Sequence, residues 1–195
     1  MVERVAKTIL KTETGEWSLY IYANGDGKDH VVLVKGIINL DTPTIVRIHS
    51  ECFTGDVLKS KQCDCGAQLD QAMEYIEKVG KGIVLYLRQE GRGIGLINKI
   101  HAYELQRENG LDTVEANEAL GFSADTRVYT LAREILNDLG VKQVRLITNN
   151  PEKIDGLLPI EVIERIALPL HITPENKQYM KTKRDRMNHL LSDIK

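Results

Sequence analysis

The sequence predicts an α/β protein: a mixed β-sheet flanked by helices in a three-layer α/β/α arrangement, with an N-terminal antiparallel β meander and a C-terminal helix. Two observations carry this expectation. The first third alternates β-prone runs with turn chemistry, and beyond it strand-like and helical stretches take turns.

In chain order, "VAKTIL" precedes a Thr14-Gly15 turn, "WSLYIYA" precedes the "NGDG" turn at Asn24 to Gly27, and "HVVLVKG" completes the meander. After the strand "TIVRIHS" the period changes. "GAQLDQAMEYIEKVG" spaces Leu69, Ala72, Met73, Ile76 and Val79 as on one helix face and ends at Gly80, a natural C-cap. "GIVLYL" reads as a short buried strand and "LINKIHAYELQREN" as a helix closed by Gly110. "TRVYTLAREILNDLG" predicts a further helix, with Ser123 or Asp125 available as its N-cap. "VRLIT" is a strand stopped at Asn149-Asn150-Pro151, and "IEVIERI" is the last strand. Residues 174–195, "PENKQYMKTKRDRMNHLLSDIK", predict a basic amphipathic helix carrying Tyr179, Met180, Met187, Leu190 and Leu191. No repeat, low-complexity tract or linker interrupts the 195 residues, so one domain over 1–195 is expected, with 174–195 as its tail.

A hydrophobic content of 42% with 28% charged residues is the profile of a globular protein. The opening "MVERVAKTILKTETGEW" lacks the apolar h-region of a signal peptide, and no later segment approaches eighteen uncharged apolar residues. A cytoplasmic protein with no membrane partner is expected. A net charge of -2 gives no global reason to bind nucleic acid, which turns attention to a small substrate.

All three cysteines, Cys52, Cys63 and Cys65, fall within fourteen consecutive positions. Their odd number and the one-residue gap make a poor disulfide framework, but three thiolates suit a metal ion. Three protein ligands match a zinc that keeps a fourth position for water, whose pKa it lowers to about 7. The alternatives are a closed structural site completed by His49 or Asp64, and cysteines that simply pack. Zinc at +2 with three thiolates gives 2 - 3 = -1, a weak Lewis acid that calls for a neighbouring base or cation. His49 and Glu51 are the nearest carriers in sequence, and their "HSE" also matches half of the zinc deaminase signature, whose P-C-x-x-C half is missing.

The run "GIVLYLRQEGRGIGLINKIHAYEL" passes from strand to helix through Gly91, Gly93 and Gly95. It matches neither the dinucleotide fingerprint nor the P-loop, so a tight turn and an anion site both explain its glycines. Glu90 and Arg92 favour the anion site, since a carboxylate can accept from a base while a guanidinium takes phosphate. Asp125 and Arg127 form a second acid and cation pair, suited to proton transfer and transition-state charge. Thr148 ends a strand shortly before Lys153, a location where α/β sheets bind ligands. Tyr103 is either core packing or a hydroxyl that reaches a site.

Together "RIHSECFTGD", "CDCGAQLD", "LRQEGRGIGLINKIHAYELQ", "DTVEANEALGFSADTR" and "LITNNPEK" closely resemble the GTP cyclohydrolase II family over about residues 45–160. The resemblance implies an enzyme of riboflavin synthesis that opens the guanine imidazole ring of GTP. It would release formate and pyrophosphate and leave 2,5-diamino-6-(5-phosphoribosylamino)pyrimidin-4(3H)-one. It further implies one zinc per subunit, magnesium with the triphosphate, and a homodimer.

Carried over by position, the zinc ligands are Cys52, Cys63 and Cys65. The nucleotide contacts are Arg47, Ile48, His49, Ser50, Glu51, Gln68, Glu90, Gly91, Arg92, Thr113, Thr148 and Lys153. The resemblance makes Asp125 a proton acceptor, Arg127 a nucleophile toward the α-phosphate, and Tyr103 a participant in ring opening. A guanidinium with a pKa above about 12 is a poor nucleophile, so a stabilising role for Arg127 stands beside the nucleophilic one. Two other readings remain open at this level: a zinc-dependent nucleobase deaminase, and a nucleotide-binding regulator with a structural zinc.

Overall fold

The computed structural model describes residues 2–191 and Ile194. Its elements in chain order are β1 (Glu3–Thr12), β2 (Gly15–Ala23), β3 (His30–Lys35), β4 (Thr44–Ser50), α1 (Phe53–Asp56), α2 (Cys65–Val79) and β5 (Gly82–Leu87). A 3-10 turn at Glu90–Gly93 leads into α3 (Gly95–Asn109), α4 (Thr113–Ala119), α5 (Thr130–Asp138), β6 (Gln143–Ile147), α6 (Glu152–Asp155), β7 (Glu161–Ile166) and α7 (Lys177–Arg186). The chain forms two compact units.

The first unit holds the chain up to His49 together with Leu69–Arg88 and Val128–Leu168. Its core is a seven-stranded mixed sheet of order β1-β2-β3-β5-β4-β6-β7. The antiparallel side is the expected meander β1/β2/β3 extended by β5, while β6 runs parallel to β4 and β7. Turn chemistry sets the hairpins. Gly15 takes φ +102° at the first turn, and the side chains of Asn24 and Asp26 accept from Asp26 N and Lys28 N in the second.

Alternation along the strands sends side chains to opposite faces. Val32, Val46 and Leu85 pack with Ala132, Ile135 and Leu136 of α5. Leu33, Ile45, Val84 and Ile147 pack with Trp17 and with Ala72 and Ile76 of α2. These two clusters are the outer interfaces of the α/β/α layering. Each fully buried Leu or Ile contributes roughly 1.5–3 kcal/mol of apolar transfer. β4 is buried along nearly its whole length, which explains a run such as "TIVRIH" with no exposed alternate positions.

The second unit holds Ser50–Gln68, Gln89–Arg127 and the chain from Pro169 onward. Three departures from the sequence expectations lie in this unit or at its edge. The segment "DTVEANEA" forms α4, opened by a capping box in which Asp112 accepts from Val114 N and Glu115 N while the Glu115 side chain accepts from Asp112 N. The helix expected over "TRVYTLAREILNDLG" begins only at Thr130, and neither Ser123 nor Asp125 caps it. The reason is local: Thr126 N and Oγ1 both donate to Arg92 O, and the Asp125 carboxylate is taken by Arg127.

The third departure is the tail. α7 ends at Arg186, and Asn188 adopts φ +52°, a left-handed conformation in which a helix stops. His189 N then donates to Lys183 O, and Leu191 packs on Met180 beside Tyr179 and Leu170. Leu190 is left exposed. Ser192, Asp193 and Lys195 of the expected helix lie outside the described residues.

Candidate active site

Two short segments of the second unit bring Cys52, Cys63 and Cys65 together, with their sulfur atoms all within 4.8 Å of one another. Cys52 stands at the N-cap of α1, where its N–H donates to Asp56 Oδ2 at 2.9 Å. Cys65 is the first residue of α2, and Cys63 lies two positions before it. Gly55 makes the convergence sterically feasible. A Cβ there would stand 2.8 Å from Cys63 Sγ, 3.1 Å from Cys52 Sγ and 3.1 Å from Cys65 Cβ, so no side chain fits at that position.

The donor set fits a tetrahedral zinc. Two sulfurs each about 2.3 Å from one ion at the tetrahedral angle stand about 3.8 Å apart, and Cys52 Sγ and Cys63 Sγ are 3.7 Å apart. Among the described residues the cluster consists of these three thiols, with no histidine or carboxylate as a fourth member. Asp64, the neighbour that would have closed the site, is engaged elsewhere: Oδ1 accepts from Lys183 Nζ at 2.6 Å, and Oδ2 accepts from Gln68 Nε2. Burial would raise the Asp64 carboxyl, but the Lys183 ammonium overrides it and holds the group below the usual range.

The thiols also interact as acids. Hydrogen bonds from Cys63 and Cys65 pull the Cys52 thiol far down, while the bond to Cys52 pushes Cys63 up to about 11 and Cys65 well above the ordinary value. Lys99 of α3 supports the Cys52 charge. Its Nζ donates to Cys52 Sγ at 3.1 Å and to Glu90 Oε1 at 2.9 Å. Burial works against this ammonium, but the Cys52 sulfur and the Glu90 carboxylate raise it well above the ordinary lysine value and keep it charged. Lys99 carries no mark in the sequence, since its partners lie 47 and 9 residues away and no local motif announces the pairing.

Glu90 is built in with care. Oε2 accepts from Phe53 N at 2.6 Å, and Oε1 accepts from Gly91 N at 2.8 Å as well as from Lys99. The glycine turn that follows is left-handed at Gly91 and also at Arg92, where φ is +60°. A non-glycine residue held there costs about 1–3 kcal/mol, as at many functional sites. Gly93 is pressed against Thr126, and a Cβ on it would collide with Thr126 Oγ1. The turn thereby meets the "SADTR" loop. Arg92 Nη1 donates to Ala124 O at 3.3 Å, while Arg92 Nη2 is buried with no hydrogen-bond partner among the described residues.

On the same loop, Arg127 Nε donates to Asp125 Oδ1 at 2.9 Å and to Oδ2 at 3.1 Å, and Arg127 Nη2 also donates to Oδ2. Burial opposes ionisation of Asp125, yet the guanidinium holds its carboxyl below the usual range. Tyr103 sits beneath Lys99, whose Nζ lies 5.7 Å from the ring centroid. Burial pushes its phenol well up, so at neutral pH it stays a hydroxyl. Ser50 Oγ donates to Gln89 Oε1 at 3.5 Å, Thr113 is the first residue of α4, and Glu51 lies just beyond β4.

The remaining candidates belong to the sheet unit. Arg47, Ile48 and His49 are buried on β4; Arg47 Nη1 donates to Ile147 O at 3.2 Å, and His49 stacks on Tyr86 with centroids 5.5 Å apart. Lys153 Nζ donates to Ile48 O at 2.8 Å, which joins two of these candidates directly. Thr148, also buried, follows β6, and its Oγ1 donates to Asn150 O at 3.3 Å. Asn150 was not expected as a site residue, yet its Nδ2 is buried with no partner among the described residues.

Comparison with known proteins agrees with the motifs. A family model described as GTP cyclohydrolase II matches residues 3–167. The riboflavin biosynthesis protein RibBA of Bacillus cereus is 52% identical over 195 residues, covering 98% of this chain and 49% of the relative. RibBA of Bacillus cytotoxicus is 51% identical over 194 residues, with the same shares covered. The chain therefore spans about half the length of the curated relatives it matches. Among solved structures, RibBX of A. baumannii, described as a two domain 3,4-dihydroxy-2-butanone 4-phosphate synthase, matches with a TM-score of 0.45 and 21% identity, over 87% of this chain and 40% of that one.

Proposed function

The chain belongs to the GTP cyclohydrolase II family, and from that premise we propose that it opens the guanine imidazole ring of GTP, releasing formate and pyrophosphate. The product would be 2,5-diamino-6-(5-phosphoribosylamino)pyrimidin-4(3H)-one, the first intermediate of riboflavin biosynthesis. The observation that carries this reading is the convergence of Cys52, Cys63 and Cys65 with Lys99 bound to one of the three sulfurs. Cys52, Cys63 and Cys65 would hold one zinc per subunit, which when bound supplies a Lewis acid and a nucleophilic water near neutral pH.

The chain's own groups have separable tasks. Lys99 offsets the excess negative charge of three thiolates by donating to Cys52, and it ties that sulfur to Glu90. Asp125, kept ionised by Arg127, is suited to accept a proton, and Tyr103 retains a hydroxyl to donate. The Arg92 guanidinium, with one buried nitrogen that has no hydrogen-bond partner among the described residues, is suited to a phosphate oxygen. Arg127 already binds a carboxylate through its fork, a posture that favours charge stabilisation in pyrophosphate release over nucleophilic attack. From positional correspondence we assign nucleotide contacts to Arg47, Ile48, His49, Ser50, Glu51, Gln68, Glu90, Gly91, Thr113, Thr148 and Lys153. The same reading includes magnesium on the triphosphate, a homodimer and a cytoplasmic location.

The test is incubation of the purified protein with GTP, magnesium and zinc, followed by assay of all small products. Formate and pyrophosphate together support the reading. Ammonia in place of formate would indicate a deaminase, and tight GTP binding with no product from zinc-loaded protein would indicate a regulator.

A further inference from the structure

Helix α7 lies beyond residues 3–167, the part of the chain that the family model covers, yet it sends side chains to three segments of the candidate site within its own unit. Tyr179, Lys183 and Arg186 follow one another at i, i+4 and i+7 and so share a helix face. The Tyr179 ring faces the Arg92 guanidinium at 5.6 Å. Arg186 Nη1 donates to Asp112 Oδ2 at 2.5 Å, at the cap that precedes Thr113. Lys183, between them, reaches Asp64 Oδ1 at 2.6 Å.

The Lys183 contact is the informative one. Lysine is rarely buried unless paired, and here Lys183 is 8% exposed and Asp64 1% exposed. Asp64 is the residue between Cys63 and Cys65, so its carboxylate adds a negative charge at the turn that carries two of the three thiolates. With the neutral Gln68 amide as its remaining side-chain partner, that charge would be repelled by the sulfurs and drawn toward water, and the C-x-C turn would open with it. Lys183 neutralises it, and the Tyr179 ring, 4.6 Å from Nζ, supports the ammonium. A second tie lies close by, where Thr173 Oγ1, on the approach to α7, donates to Lys61 O at 3.1 Å. Lys61 is two residues before Cys63.

We propose that Lys183 is a positioning residue of the metal site: by pairing with Asp64 it holds the Cys63-Asp64-Cys65 turn in the shape that points both sulfurs at one ion. The inference rests on the zinc reading above. Its task is distinct from that of Lys99, which touches a sulfur directly.

The test uses full-length, zinc-loaded protein and follows transfer of zinc to an excess of chromogenic chelator, beside thermal unfolding of the metal-free form. Lys183→Met should release zinc about 10-fold or more faster than wild type, the lower end of the range for partners bonded directly to a ligand, since Lys183 acts through Asp64. Lys183→Arg should recover most of the loss. Asp64→Asn combined with Lys183→Met should release zinc no faster than Asp64→Asn alone, because both changes remove one interaction. The double variant also lacks the buried carboxylate left without a cation, so it should fold even where Lys183→Met does not. Wild-type release rates in Lys183→Met, or simple multiplication of the two single effects, would overturn the proposal. Wild-type protein that takes up no zinc would remove the metal reading itself, before any variant is compared.

Discussion

Lys99 Nζ lies 3.1 Å from Cys52 Sγ, inside the cluster that three thiolates would otherwise make strongly negative. A cation in hydrogen-bond contact with a thiolate withdraws charge from it and leaves the bound ion a stronger Lewis acid. Lys99→Met should lower formate release about 10- to 100-fold, with Lys99→Arg intermediate. It also leaves the buried Glu90 carboxylate without its cation, held among the described residues only by Phe53 N and Gly91 N, which should cost about 1–3 kcal/mol of stability. Steady-state formate production and chemical denaturation of the same preparations measure both effects. Cobalt substitution adds a direct readout, since the sulfur-to-metal charge-transfer band should shift when the Cys52 hydrogen bond is lost.

Gly55 owes its identity to the sulfurs around it. Its backbone needs no special conformation, so Gly55→Ala tests steric fit alone: the new methyl would lie 2.8 Å from Cys63 Sγ. The expected result is a protein that folds with an overpacking cost of about 1–3 kcal/mol and holds less than one zinc per chain. Elemental analysis after gel filtration, beside a melting curve, checks this.

His30 sets an acid limit on the sheet unit. It is 1% exposed, accepts from Arg88 N through Nδ1 at 3.2 Å, and faces Asp26 Oδ2 through Nε2 at 3.3 Å. Burial lowers its pKa, Lys28 and Arg88 add to that, and Asp26 opposes it without prevailing. The folded value therefore lies below the unfolded value of about 6.5, and the folded state binds fewer protons between the two. This contribution is complete above pH 6.5 or so and is lost as pH falls through the depressed folded value. Melting temperature should decline on acidification below about 6.5, and His30→Gln should flatten that decline.

Much of this architecture could be read from local chemistry. The strands announced themselves through alternation and turn residues, and α2 through apolar spacing closed by Gly80, whose N–H donates to Ile76 O. The cysteine cluster was legible because its members are close in sequence. The capping box at Asp112 and Glu115 was equally local, and the D-x-x-E spacing was there to be read. Other features depend on distant partners. Asp125 looks like an N-cap until Arg127 and the glycine turn claim its loop, and the tail looks helical to its end until Asn188 turns it back on Met180. Lys99 and Lys183 carry no local mark, since each acquires its meaning from a partner 47 or 119 residues earlier.

On the proposed function, the three-cysteine cluster serves ring opening while other cations serve the triphosphate. Counting formate and pyrophosphate per GTP consumed, in wild type and in Cys63→Ser, separates the two tasks. Cys63→Ser removes one of the three sulfurs, whereas Arg92 and Arg127 stand outside the cluster. Wild type should give the two products in equal amounts, and folded Cys63→Ser should lose formate while still releasing pyrophosphate. Zinc-loaded wild type that yields no formate would overturn the assignment of ring opening to this cluster, as would a Cys63→Ser protein that still produces formate at the wild-type rate.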